Sequence, residues 1–520
     1  MIVQVDYKPL TPYGQDLARN IAIISDAGVL EKEYSLIETA IKLVKDDQRA
    51  AKIEFHLKKI PLLNPLDGNN FDPADLFLIK KFIINYVAII RELDDGTAKA
   101  FNMGFSSKKL LDSLCIDQDD ADTFYLNDSY SDELKTVRKK IRKIDEELDS
   151  IKQKQLLEIQ RKFKLDFKLR DFLVVDENIA VKLDKDHFFI EHFDSNNFVV
   201  KPIYNKKYFE LYLERDGLVA EEQRQEKIII EKLSKEVRAE SKNIAGYIDV
   251  VTKLDALIAK ARLAVKYNMT RPVIRSQVGN IKIQNGRYIP LVNKCSVLGT
   301  KYSPLSTEFN SKVIVIHGSN MGGKTVLLQT VCFLQTLAQT GFFVPADLYE
   351  TVVFDNIHYI GESMAEEVNG LSSFGLEVHE FMKAYGNLKG KTLFIIDEFA
   401  RTTNSKEAVA LISAVLKAAS ENSDIYMFMS THFLELPEFK GVSFYKMKGL
   451  NYSEYEKYYL KEKDYGLDER IRLINKYMKY EVMPDEKGAE QYDALNVANI
   501  LGMDKKILSY AKKYLDVGNE

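Results

Sequence analysis

The chain has 520 residues, 46% of them apolar and 29% charged, which is ordinary for globular protein and long enough for two or three domains with substantial cores. A net charge of −4 excludes a global basic field, so any contact with nucleic acid needs a local patch. Three scattered cysteines (Cys115, Cys295, Cys332) predict neither disulfide frame nor zinc site and suit a reducing cytosol; no stretch approaches the ~18 apolar residues of a membrane helix, and Met1 to Asp6 lack a signal peptide's basic head and long apolar run.

Residues 1–125 read as mainly helical. Glu33 to Val44 and Asp75 to Ile90 carry apolar residues at helical spacing, separated by the turn-rich Asn64-Pro65-Leu66-Asp67-Gly68-Asn69-Asn70. No catalytic cluster stands out, and the lone His56 reads as unremarkable.

From Leu134, apolar residues recur at Val137, Ile141, Ile144, Leu148 and Ile151, alternating three and four apart as in a coiled coil. A second stripe returns at Ile230, Leu233, Val237, Ile244, Tyr247, Val251, Leu254 and Ile258, broken only by Glu240. Residues 126–250 therefore predict antiparallel coiled-coil arms around a small β-containing insert at about 172–216. Two basic clusters lie on the arms: Lys135, Arg138, Lys139, Lys140, Arg142 and Lys143, then Arg161, Lys162, Lys164, Lys168 and Arg170. Several cations on one face would hold phosphates. Because Asp145, Glu146, Glu147 and Asp149 follow directly, these residues by themselves favour a solvated helix surface.

Residues 251–290 read as a helical return and connector, and residues 291–520 carry the chemistry. Gly318-Ser319-Asn320-Met321-Gly322-Gly323-Lys324-Thr325 fits G-x-x-x-x-G-K-[ST] between the apolar run Val313-Ile314-Val315-Ile316 and a helical stretch from Val326 to Leu337. Its amides and the helix N-terminus would cradle phosphates; Lys324 would reach the β- and γ-phosphates and Thr325 would ligate Mg²⁺. The strand Thr392 to Ile396 ends in Asp397, a candidate for the Mg²⁺ shell, and Glu398, a candidate general base. Ile425 to Met429 leads into Ser430-Thr431-His432, where His432 would approach the γ-phosphate.

These segments resemble the MutS family of DNA-repair ATPases, a branch of the ABC class. The similarity lies in Asn320 to Thr325, with Ser319 where the family usually has proline. It lies also in Asp397 to Thr403, similar to D-E-L-G-R-G-T with Ala400 and Thr402 substituted, and in Ser430 to Phe433. Gly341 to Ala346 matches G-x-x-V-P-A, and Leu371-Ser372-Ser373-Phe374-Gly375-Leu376-Glu377 resembles the S-T-F-x-x-E signature. Asp255 to Arg262 is similar to the helix before the ATPase, Gly286 to Pro290 stands where R-H-P often falls, and Asn496 to Met503 with Ile507 and Ala511 resembles the C-terminal helix pair.

The resemblance implies an α/β ABC-type P-loop ATPase joined to an all-α core with long arms, using ATP and Mg²⁺. It implies a dimer with itself or a paralogous subunit, in which Ser372 reaches the partner's nucleotide. It shifts the arm cations toward double-stranded or branched DNA, mismatched or distorted. Phe189-Ile190-Glu191 matches the F-x-E wedge of mismatch readers but lies between the arms and reads as coincidence; a form without the mismatch-reading and small nuclease domains is expected. The alternative is remodelling of a protein partner, since short MutS-like ATPases are associated with reactivating cobalamin-dependent aminomutases.

Overall fold

The computed structural model describes residues 6–66, 68, 71–117, 120–168, 170–275, 280–318, 322–361, 373–451, 454, 466, 470, 474, 476–485 and 493–517. The first half contains helices α1 (Pro12–Arg19), α2 (Ala27–Val44), α3 (Asp47–Lys59), α4 (Pro73–Arg91), α5 (Asp95–Ala100), α6 (Lys108–Leu114) and α7 (Asp132–Phe163). Next come β1 (Leu173–Asp176), α8 (Glu177–Ala180), β2 (Phe188–His192), β3 (Asn197–Pro202) and the long α9 (Lys206–Lys266). Strands β4 (Val273–Ile274) and β5 (Ile281–Gly286), helix α10 (Ile289–Leu298), β6 (Leu305–Phe309), β7 (Val313–His317), α11 (Lys324–Gln339), β8 (Leu348–Thr351) and β9 (Asn356–Ile360) follow. The chain closes with α12 (Ser373–Gly386), β10 (Thr392–Asp397), α13 (Ser405–Glu421), β11 (Ile425–Ser430), β12 (Val442–Leu450), β13 (Met478–Pro484), α14 (Asp493–Leu501) and α15 (Lys505–Val517). Two compact units result: residues 1–54, 94–102 and 252–520, and residues 55–93 and 103–251.

In the second unit, α7 buries Leu134, Val137, Ile141, Ile144 and Leu148 of the apolar stripe read from the sequence, while Ile151 at its end is half-buried. Residues of α9 lie beside it in reverse order: Arg138 pairs with Glu222 and Glu226 at 2.6 and 2.7 Å, Arg215 with Asp145 at 2.5 Å, and the Asn205 amide donates to Gln155 at 3.3 Å. The pair is therefore antiparallel. Glu240 interrupts the α9 stripe because its carboxylate receives the Ser107 hydroxyl at 2.6 Å and the Asn243 amide at 2.7 Å. A partnered carboxylate can take a position that an apolar pattern reserves for a hydrophobe. The insert is a three-stranded antiparallel sheet ordered β1-β3-β2, with Phe188, Val175 and Val200 in its core. Phe189 of the F-x-E match is exposed, and Glu191 pairs with Lys201 at 3.2 Å.

The first unit is built on a six-stranded sheet ordered β13-β12-β7-β11-β10-β9 and a four-stranded sheet ordered β4-β8-β5-β6. Strands β12, β7, β11, β10 and β9 are mutually parallel, while β13 pairs antiparallel at the edge. All five residues of β7 and all six of β11 are buried, which requires cover on both faces and explains their unbroken apolar runs. One layer of that cover is α13, through Ala408, Ile412, Leu416 and Ala419. β13, despite the polar composition around it, is the sheet's edge strand.

Helix α11 is buried over most of its length, and its far end is held by the N-terminal helices. The Tyr34 hydroxyl donates to Ala338 O at 2.7 Å. Lys260 of α9 donates to Thr340 O at 3.2 Å and to Glu33 at 3.1 Å. Burial pushes the Lys260 ammonium below its ordinary pKa, an effect opposed by Glu33. Asp255, fully buried on α9, accepts from the amides of Leu10 and Thr11 and from the Thr11 hydroxyl at 2.9, 2.7 and 2.7 Å. Asp255→Ala strands those three donors and is expected to destabilise the protein by about 2–4 kcal/mol. A thermal transition shifted downward by several degrees checks this; an unmoved midpoint would mean that the donors find other partners.

Candidate active site

The parallel register sets β10 beside β11 so that Asp397 lies level with Ser430, and places β7, with the glycine-rich turn at its carboxyl end, on the other side of β11. Such a strand order gathers three loop ends at one edge of a sheet, the place where open α/β sheets bind ligands.

Lys324 is the first residue of α11, and its side chain is 2% exposed. Its ammonium donates to Gly318 O at 2.6 Å and stands 3.4 Å from Glu398 Oε1. Burial lowers its pKa, opposed by Glu398 and then Asp397, so the two carboxylates sustain a cation that burial disfavours. Gly318 and Gly323 have φ of +138° and +91°, which an L side chain adopts only under strain. A Cβ on Gly323 would also stand 2.9 Å from the Tyr480 ring. Thr325 is exposed in the first turn of α11.

Asp397 Oδ1 accepts from the Ser430 hydroxyl at 2.6 Å, and the same oxygen of Ser430 accepts from the Glu398 amide at 3.0 Å. Ser430 thus bridges the two acids. The chain turns sharply here: Glu398 and Ala400 have φ of +57° and +60°. Glu398 Oε2 lies 3.7 Å from Arg401 Nη1, and the Ala400 amide donates to Glu377 Oε2 of α12 at 3.0 Å.

The structure therefore brings Lys324 beside Glu398, Asp397 and Gly318, while Gly322 is buried nearby in the chain. His432 comes two residues after the end of β11; it is exposed, and its ring rests on Phe433 with centroids 4.1 Å apart. Ser319, Asn320, Met321 and Ser372 lie outside the described residues. Sequence reasoning assigns no site role to Ser430, Glu377 or Tyr480. The first has a signal, a polar residue ending the neighbouring strand; Glu377 has one too, as the last residue of the segment resembling S-T-F-x-x-E, whereas the approach of Tyr480 to Gly323 is long-range and leaves no local pattern.

Residues 314–517 match the family model for MutS domain V. Through this stretch the chain is similar to the MutS family. The DNA mismatch repair protein MutS of Phocaeicola vulgatus is 30% identical over 272 residues, covering 51% of this chain and 29% of that protein. The Endonuclease MutS2 of Pediococcus pentosaceus is 31% identical over 307 residues, covering 57% and 34%. A DNA mismatch repair protein MutS of Thermus thermophilus is 26% identical over 292 residues, covering 56% and 32%. The chain spans about a third of the length of these MutS relatives.

The residues present fit a magnesium-bound triphosphate. The helix N-terminus and Lys324 supply positive charge, and Thr325 and Asp397 are hard oxygen donors of the kind Mg²⁺ takes. Among the described residues no group of three His, Cys, Asp or Glu forms a separate metal site, and no helix is long and apolar enough to cross a membrane.

Proposed function

We propose that the chain is an ATP hydrolase acting as a dimeric clamp on mismatched, branched or distorted DNA in repair or recombination. The observation that carries the catalytic part is the 3.4 Å approach of Lys324 to Glu398 beside Asp397, at the mouth of a glycine-rich turn. Lys324 and the amides of Gly318 to Thr325 hold the phosphates. Thr325 and Asp397 would hold Mg²⁺, which neutralises charge on the phosphoryl oxygens. Glu398 orients the attacking water and takes its proton at the carboxylate. His432 senses loss of the γ-phosphate.

A dimer is supported by α15, where Ile507, Tyr510 and Tyr514 stand on one side of the helix and are 56%, 49% and 80% exposed. In that dimer Ser372 of each protomer reaches its partner's nucleotide. Ser372→Ala is expected to bind nucleotide normally yet hydrolyse it at least tenfold more slowly. A titration with fluorescent nucleotide beside a phosphate-release assay checks this, and undiminished turnover would remove the role in trans.

The antiparallel pair α7 and α9 would form the arms that close on DNA. A second reading, remodelling of a protein partner, is favoured by one observation. The insert exposes Phe172, Val181, Phe189 and Phe193 at 49–78%, while Lys168 and Lys201 are tied to Asp166 and Glu191. The deciding experiment is ATP turnover with and without a four-way DNA junction across a salt series. DNA clamping gives stimulation that falls as salt rises. Turnover indifferent to DNA at every salt would leave the protein-remodelling reading.

A further inference from the structure

Glu377 has no place in the chemistry described so far, yet it reaches the turn that carries the general base. That turn is unusual. Glu398 and Ala400 both adopt left-handed backbone, at φ of +57° and +60°, without being glycine. Such a conformation is strained for a residue with a Cβ, so it persists only where its surroundings hold it. Two side chains hold it. At the near end, the Ser430 hydroxyl accepts from the Glu398 amide at 3.0 Å. At the far end, Glu377 Oε2 accepts from the Ala400 amide at 3.0 Å. Ala400 is fully buried, so its amide has no ready substitute in solvent.

Glu377 lies in the first turns of α12, partly buried, and Phe381 one turn later packs against Phe399 with ring centroids 5.6 Å apart. Phe399 sits between the two left-handed residues. Helix α12 thus grips the turn twice, once through a carboxylate on the backbone and once through an aromatic contact. Lys324 and Arg401 hold the Glu398 carboxylate from the other side, at 3.4 and 3.7 Å.

We propose that Glu377 is a positioning residue: its carboxylate, by accepting from the Ala400 amide, fixes the turn that aims Glu398, and so makes the rate of hydrolysis depend on the position of α12. This rests on the ATP-hydrolase reading above. A carboxylate on an amide is a charge-assisted bond, stronger than its neutral counterpart. Glutamine keeps an acceptor oxygen at the same reach without the charge. Methionine keeps comparable bulk and removes the acceptor.

The test compares wild type with Glu377→Gln, Glu377→Met and Glu377→Ala, measuring kcat, KM for ATP and fluorescent-nucleotide affinity. Lys324→Ala serves as the inactive control. Loss of aim at the base is expected to lower kcat roughly ten- to a hundredfold in the methionine and alanine variants. KM and nucleotide affinity stay within about twofold, since uniform binding is untouched. Glutamine is expected to recover most of the lost rate. The methionine variant reads the same effect should the alanine variant fail to fold.

Wild-type kcat in both the methionine and alanine variants overturns the proposal, as does a glutamine variant as slow as methionine, because an acceptor at that position would then be immaterial. A loss expressed in KM or affinity with kcat intact also overturns it. A wild-type protein no faster than Lys324→Ala would instead refute the hydrolase reading, and the positioning role with it. Active wild type with unaffected Glu377 variants refutes the positioning role only.

Discussion

Lys324→Ala is expected to reduce ATP turnover at least a hundredfold while the protein still folds. The side chain is 2% exposed, and its ammonium is 2.6 Å from Gly318 O and 3.4 Å from Glu398. Alanine removes the cation that faces two carboxylates and leaves them unbalanced where phosphate must enter. A preorganised donor aimed at developing phosphoryl charge contributes on the order of 10²–10³ in rate. Folding should survive, because the ammonium is already disfavoured by burial and the helix behind it is anchored by its own apolar face. Phosphate release and a thermal melt, run on one preparation, check the two halves. Undiminished turnover in a folded variant would remove the proposed site.

Glu398→Gln is expected to keep ATP bound and to accumulate the dimer. Glutamine preserves the shape that reaches Lys324 and Arg401 but cannot accept the water's proton. Loss of a general base costs about 10²–10⁴ in rate. If triphosphate holds two protomers together and hydrolysis releases them, blocking hydrolysis favours the paired state. Size exclusion with ATP and Mg²⁺ should give a dimer peak that persists for the variant and decays for wild type. A variant that remains monomeric with ATP bound would separate nucleotide binding from dimerisation.

Much of the cluster around Lys324 is legible in the sequence because its signals are local. Gly318 to Thr325 needs a strand before and a helix after, and the run Val313 to Ile316 and the stretch Val326 to Leu337 supply both within a short span. Asp397 and Glu398 end an apolar run of the kind only a covered parallel strand tolerates. The mixed α/β character of the C-terminal half follows from the same runs. What escapes are contacts set by distance along the chain. Residues 94–102 group by contacts with the first unit although flanked on both sides by residues of the second, and no local pattern announces that. Glu240 reads as a flaw in a stripe until Ser107 is seen to donate to it. β13 escapes because its residues Lys479 and Glu481 look solvated, and an edge strand with one exposed face tolerates that. Tyr480, between them, ends against Gly323.

The wiring at the far end of α11 has a practical meaning. A fragment excised from residue 252 onward would retain Lys324, Asp397 and Glu398, yet would lose Tyr34, Glu33 and Leu10 with Thr11, the partners of Ala338, Lys260 and Asp255. Its ammonium and carboxylate would then lie bare on a greasy scar. The nucleotide module is thus not separable at the point where its sequence signature begins: the opening fifty residues are its missing wall, and anyone trimming the gene to a minimal engine should carry them along.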